Sequence, residues 1–194
     1  MKFTHSALVA ALLGSTLALT GCPAVVVGGA AAGGLTAHDR RDYEIQVDDE
    51  NIEQKANARF DASQSIDGEC HVSTTSYNRL VLLAGQCPNE SLRKEVERVL
   101  REVPNVRRVQ NEIRLLGPRS TLTASSDAWM TSKVKSYMVA EKGFDSTRIK
   151  VVTENGEVFL MGLVTKSEAQ RAIAIARNVS GVQRVVPVFE YVES

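Results

Sequence analysis

Trp129, Lys133 and Tyr137 are the residues of this chain whose types and spacing suit a chemical task. They recur at i, i+4 and i+8, so a helix would set an indole, an ammonium and a phenol along one line. Amphipathic rings settle where an apolar phase meets water, and a lysine between them reaches phosphate; such a stripe suits the headgroup region of a membrane. Lys135 falls on another face of the same helix and joins only if the helix lies flat. The same aromatics could instead widen the buried stripe and contact the rest of the protein, and the sequence leaves both readings open. Asp127, just ahead of them, is expected to cap the helix.

Other chemistry is thinly supplied. After an N-terminal export segment the chain holds His38 and His71 only, with no Cys-x-x-Cys or His-x-x-x-His pair to offer a metal. A nucleophilic pair of Cys70 and His71 fails because neighbouring strand residues point to opposite faces. No enzyme activity, no cofactor and no metal are expected. Cys70 and Cys87 carry a different implication. Counting outward from a two-residue turn at Asn78-Arg79 sets them directly opposite each other, in a non-hydrogen-bonded pair whose Cα separation of about 4.5 Å suits a disulfide. Export to an oxidising compartment permits that bond; two buried thiols are the alternative.

The export signal is residues 1–21. Lys2 and His5 open it, and residues 6–19 (SALVAALLGSTLAL) form an apolar run too short to span a bilayer. The run ends in Leu19-Thr20-Gly21-Cys22, which resembles the bacterial lipobox and marks Cys22 for acylation. Each buried methylene contributes about 0.8 kcal/mol, so several acyl chains on one residue make a lasting anchor. Pro23 in place of an aspartate points to the outer membrane by the sorting rule of such lipoproteins. Residues 22–47 read as the acylated cysteine and a flexible tether, rich in small residues and lacking a phosphate-loop motif. Removing the signal takes away Lys2 and no acid. The 23 basic and 23 acidic residues of the whole chain thus leave the mature protein about one charge negative, with no global field to attract nucleic acid.

Beyond the tether the chain repeats itself. LVLLAGQ (80–86) matches EVFLMGLV (157–164) with Gly85 and Gly162 in register, each following a strand (HVSTTSY, RIKVVTE) and a two-residue turn. A helix follows each hairpin: Leu92, Val96, Val99, Leu100 and Val103 in the first copy, and in the second a Thr165–Glu168 capping box leading Ala169, Ile173, Ala176 and Val179. VRRVQNEIRLL (106–116) and VQRVVPVFEYV (182–192) supply closing strands, and opening helices carry Ile52, Ala56, Phe60 against Met130, Val134, Met138. The expected fold is α+β: two tandem α-β-β-α-β domains at 48–116 and 126–194, joined by a linker at 117–125, with helices packed on a small mixed three-stranded sheet. A copy of about 65 to 70 residues is marginal alone, so packing of one on the other is expected to add stability.

The glycine ending each second strand and the entry Gly181-Val182-x-x-Val185 to the last strand resemble a pair of BON domains. Among BON proteins, the lipobox, the small-residue tether, Asp48-Asp49, Trp129 and the run TENGEVFLMGLVT (153–165) are similar to the lipid-anchored members associated with division and outer-membrane stress. That resemblance implies a periplasm-facing outer-membrane lipoprotein that gathers at the division septum and supports envelope integrity without catalysis. It implies binding of anionic phospholipid, phosphatidylglycerol or cardiolipin, through the second BON domain with Trp129 in contact. A competing reading, independent of that resemblance, is a scaffold that the anchor alone holds at the membrane and that binds envelope or division proteins or a peptidoglycan-remodelling factor.

Aligning the copies sets Trp129 opposite Asn51, Lys133 opposite Lys55 and Tyr137 opposite Arg59, so the second helix alone has gained the aromatics. Arg107, Arg108, Arg114 and Arg119 cluster on and after the first copy's last strand, either as solvated edge protection or facing an anionic surface.

Overall fold

A computed structural model describes residues 39–117 and 120–193; the signal segment, Cys22, His38 and Arg119 lie outside the described residues. The chain forms α1 (Tyr43–Asp61), β1 (His71–Tyr77), β2 (Leu80–Cys87), α2 (Glu90–Arg101) and β3 (Arg108–Leu115). It then repeats the order as α3 (Thr121–Ala140), a 3-10 turn (Ser146–Arg148), β4 (Lys150–Glu154), β5 (Glu157–Val164), α4 (Lys166–Arg177) and β6 (Arg184–Tyr191). Each copy makes a three-stranded mixed sheet with its second strand central, antiparallel to the first and parallel to the third.

Both hairpins turn through two residues of positive φ, Asn78 and Arg79 (54° and 60°) and Asn155 and Gly156 (51° and 76°), the backbone that matches the twist of paired strands. The first turn fixes the register His71↔Gln86 through Tyr77↔Leu80. One step further out, Cys70 and Cys87 are joined in a disulfide, with Cα atoms 4.4 Å apart. Reducing it should lower stability by about 3 kcal/mol, the chain-entropy value for a loop of this size. Urea unfolding with and without dithiothreitol measures this, and coincident midpoints would show that the hairpin gains nothing from the bond.

The central strands are buried along almost their whole length because each sheet is covered on both faces. Ile52, Ala56, Phe60, Val96 and Leu100 pack on Val81, Leu83 and Ile113 in the first copy. Val134, Met138, Ala169, Ala172 and Ala176 pack on Val158, Leu160 and Phe189 in the second. The opposite sheet faces meet each other through Tyr77, Leu80, Leu82 and Ala84 on one side and Phe159, Met161 and Val188 on the other. This third core gives two small domains the apolar area that neither would bury alone.

Ion pairs between the copies rim that interface: Arg107–Glu190, Arg114–Glu157, Arg184–Glu112 and Lys150–Glu53. Two members of the expected arginine cluster therefore tie the copies together rather than guarding an edge or facing a membrane. Their carboxylate partners sit in the other copy, out of reach of any local reading of the sequence.

Three boundaries differ from expectation. The tether's last residues, expected to be flexible to position 47, are ordered: α1 begins at Tyr43, and Asp39 to Arg41 clamp both copies. Arg40 donates to the Leu163 carbonyl and to Glu168 at 2.7 Å each. Arg41 pairs with Asp39 and with Asp49, its guanidinium 3.9 Å from the centre of the Tyr77 ring. Secondly, α3 begins at Thr121, inside the expected linker, with Ser120 accepting from the Thr123 amide as its cap. Within this helix Ser125, Ser132 and Ser136 bond back to carbonyls four residues earlier, which satisfies their hydroxyls without adding to helix stability. Thirdly, β4 starts at Lys150, because the 3-10 turn occupies the positions before it.

Glu168 also closes the Thr165 capping box and pairs with Arg148. The Arg40 guanidinium, first among its partners, holds its carboxyl down to about 2. A depressed carboxylate stabilises the fold above its ordinary value of 4.5 and loses that contribution as pH falls toward 2. Proteolysis near Arg40 should therefore quicken only below that upper value; release of the clamp near neutral pH would contradict the assignment.

Candidate functional site on the second opening helix

The buried face of α3 is Asp127, Met130, Val134 and Met138. Asp127 is not the cap: it sits inside the helix, 2% exposed, its carboxylate accepting from the amides of Asn155 and Gly156 at 2.9 Å each. Asp49 occupies the same place in α1 and accepts from the amides of Asn78 and Arg79 at 2.8 and 2.7 Å, and from the Ser76 hydroxyl at 2.6 Å. Each opening helix thus grips its own hairpin turn with one carboxylate, which fixes the rotation of the helix about its axis. In α3 that rotation decides which side chains meet solvent.

Trp129 and Tyr137 are about half exposed, at 52% and 49%, so they do not widen the core. Lys133 lies between them with its ammonium 4.1 Å from the centre of the Trp129 ring, a cation–π contact that holds both groups in one patch. Lys135 is exposed about 200° further round the helix, away from this stripe. Leu122, 82% exposed, extends the stripe toward the N-terminus, one heptad ahead of Trp129. The sequence reading missed it because the Thr- and Ser-rich run around it carries no helix signal; the seven-residue spacing was the clue. The counterparts on α1 are polar: Asn51 and Lys55 are exposed, and Arg59 pairs with Glu102.

An exposed tryptophan, tyrosine and leucine flanking a lysine on one helix form an amphipathic surface, able to seat its rings among headgroups and offer phosphate a charge. Among the described residues no helix is long and apolar enough to cross a membrane, and no group of three potential ligands is placed to hold a metal ion.

Two α-β-β-α-β modules, each with an opening helix gripping its hairpin turn, define the class: the chain belongs to the BON domain family, matched over residues 48–117 and 126–193. It is similar to the Outer membrane lipoprotein DolP of Haemophilus influenzae, 40% identical over 184 residues that cover 95% of each chain. It is also similar to the 21 kDa hemolysin of Actinobacillus pleuropneumoniae, 35% identical over 80% of each chain. Osmotically-inducible protein Y of Escherichia coli is 27% identical over 72% of this chain and 70% of its own. The protein is a dual-BON outer-membrane lipoprotein of the DolP kind.

Proposed function

We propose that this lipoprotein, held by an acylated Cys22 and facing the periplasm, reads anionic phospholipid with α3 and supports envelope integrity without catalysis. The observation that carries the reading is the exposed stripe of Trp129, Lys133 and Tyr137, present on the second opening helix and replaced by polar residues on the first. Gathering at the division septum belongs to the same proposal through the family resemblance, and fluorescence imaging of dividing cells checks it.

The test uses the mature chain carrying Cys22→Ser, so that no acyl chain contributes. Trp129 is the one tryptophan of the chain, and its emission should shift to the blue with vesicles containing phosphatidylglycerol or cardiolipin and stay unchanged with phosphatidylcholine alone. Added salt should weaken the response. Trp129→Ala should reduce vesicle co-sedimentation about tenfold or more, the scale set by losing one large buried ring. Binding indifferent to lipid charge, or an unmoved spectrum, would leave the anchor as the only membrane contact and turn α3 into a docking face for an envelope protein.

A further inference from the structure

The two copies differ most sharply where the first turns of the opening helix meet the hairpin turn. In the first copy this corner is filled. Arg79, at the turn, donates to Asp48 at 2.7 Å and lies 3.8 Å from Glu44, while Asn105 donates to the same Asp48 at 2.8 Å. The Asn78 side-chain amide is spent on Glu190 at 2.7 Å. In the second copy each member of that plug is replaced by a smaller or uncharged residue: Gly156 for Arg79, Ser126 for Asp48, Leu122 for Glu44 and Gly181 for Asn105. The backbone is kept, since Asn105 and Gly181 share positive φ, and the Arg107 and Gln183 amides bond the matching turn carbonyls at 2.9 Å.

The result is a cavity of about 390 Å³, bordered by Leu122, Ser126, Asn155, Gly156, Gly181 and Gln183. The side-chain amide nitrogen of Asn155 is buried there without a hydrogen-bond partner, although its counterpart in the first copy has one. An unpaired buried donor carries a desolvation cost that a bound acceptor would remove. The bordering polar side chains are hydroxyl and amide groups that both donate and accept, and the Asp127 carboxylate is turned to the hairpin amides. A pocket of this chemistry suits a small, uncharged, polyhydroxylated group rather than an ion.

The geometry points to this pocket as a headgroup subsite that takes the terminal glycerol of a phospholipid such as phosphatidylglycerol. It rests on the lipid-reading role of α3. Leu122 belongs both to the cavity's border and to the exposed stripe, so a lipid surface touching the stripe presents headgroups at the cavity's mouth. Lys133, folded back over the Trp129 ring, carries its charge toward the cavity end of the helix, where the phosphate would follow the glycerol.

The experiment compares phosphatidylglycerol, phosphatidic acid and phosphatidylserine in phosphatidylcholine vesicles of matched surface charge, with the mature chain carrying Cys22→Ser and Trp129 emission as readout. Phosphatidylglycerol is expected to bind about tenfold tighter than the other two, the worth of one or two well-made hydrogen bonds. Gly156→Arg with Ser126→Asp, which rebuilds the plug of the first copy, should abolish that preference and keep a blue shift with every anionic vesicle. Asn155→Gly, which suits the left-handed turn and removes only the amide, should do the same if the rebuilt plug disturbs folding. Equal affinity of the unaltered protein for the three lipids would overturn the subsite and leave the lipid-reading role standing, whereas no shift with any of them would overturn both. If free glycerophosphoglycerol without vesicles moves the Asn155 amide resonance while lipid preference is absent, the pocket takes a soluble polyol and the headgroup assignment falls.

Discussion

Asp49→Ala is expected to lower the stability of the protein by about 3–5 kcal/mol, the cost of leaving three donors at the buried turn without their acceptor and stripping Arg41 of one of its two carboxylates. Asp49 is 3% exposed and holds four partners at once: the Arg41 guanidinium, the Ser76 hydroxyl and the turn amides of Asn78 and Arg79. Arg79 sits at positive φ without being glycine, a conformation that costs about 1–2 kcal/mol and needs that support. Asp127→Ala should cost less, about 2–3 kcal/mol, because its two turn amides belong to an Asn-Gly pair that favours the turn unaided. Urea midpoints of the two variants measure the difference, and a larger loss at Asp127 than at Asp49 would refute this division of labour.

Gly85→Ala should be as damaging, at about 3–4 kcal/mol, with Gly162→Ala close behind. A Cβ on Gly85 would stand 2.1 Å from the His71 carbonyl oxygen, and one on Gly162 would stand 2.4 Å from that of Arg148. These obstacles are backbone, so the neighbouring chain must move, and Gly85 also lies at φ +121°. Gly68 provides the comparison: its φ is +75° but nothing stands within 4 Å, so Gly68→Ala should cost only about 1 kcal/mol. Thermal unfolding of the three variants separates crowding from backbone strain. A loss at Gly85→Ala within about 1 kcal/mol of that at Gly68→Ala would show that the close approach relaxes freely.

The features legible in the sequence were those written by short-range rules. Turn residues and alternation placed both hairpins and the opposition of Cys70 and Cys87, while the 3.6-residue period found the buried faces of all four helices. The aromatic stripe was legible as a pattern, but its exposure was not: Trp129 lies one step off the buried face, where a small rotation of the helix decides between core and solvent. That rotation is set by Asp127 reaching the Asn155-Gly156 turn, a contact across 28 residues that resembles an ordinary N-cap when read locally. The small size of each copy implied packing of one on the other, without saying that Leu80, Leu82, Phe159 and Met161 on the central strands make the contact. Arg107 and Arg114 looked like surface charge because Glu190 and Glu157 lie far along the chain.

The clamp of Arg40 and Arg41 sets the length of the leash. With Cys22 acylated as proposed, about 17 residues lead from the anchor to Asp39, the first residue described, and they cannot span more than roughly 60 Å. Were the clamp absent, the leash would lengthen by the residues it now holds and its root would swing freely on one domain instead of being fastened to both. On the proposed anchoring, so short a span would confine the aromatic helix to a thin layer beside the membrane, where the effective concentration of lipid surface is on the order of millimolar or higher. A helix so confined needs only feeble intrinsic affinity to spend much of its time on lipid, and modest changes in local headgroup composition then suffice to move it on or off the surface.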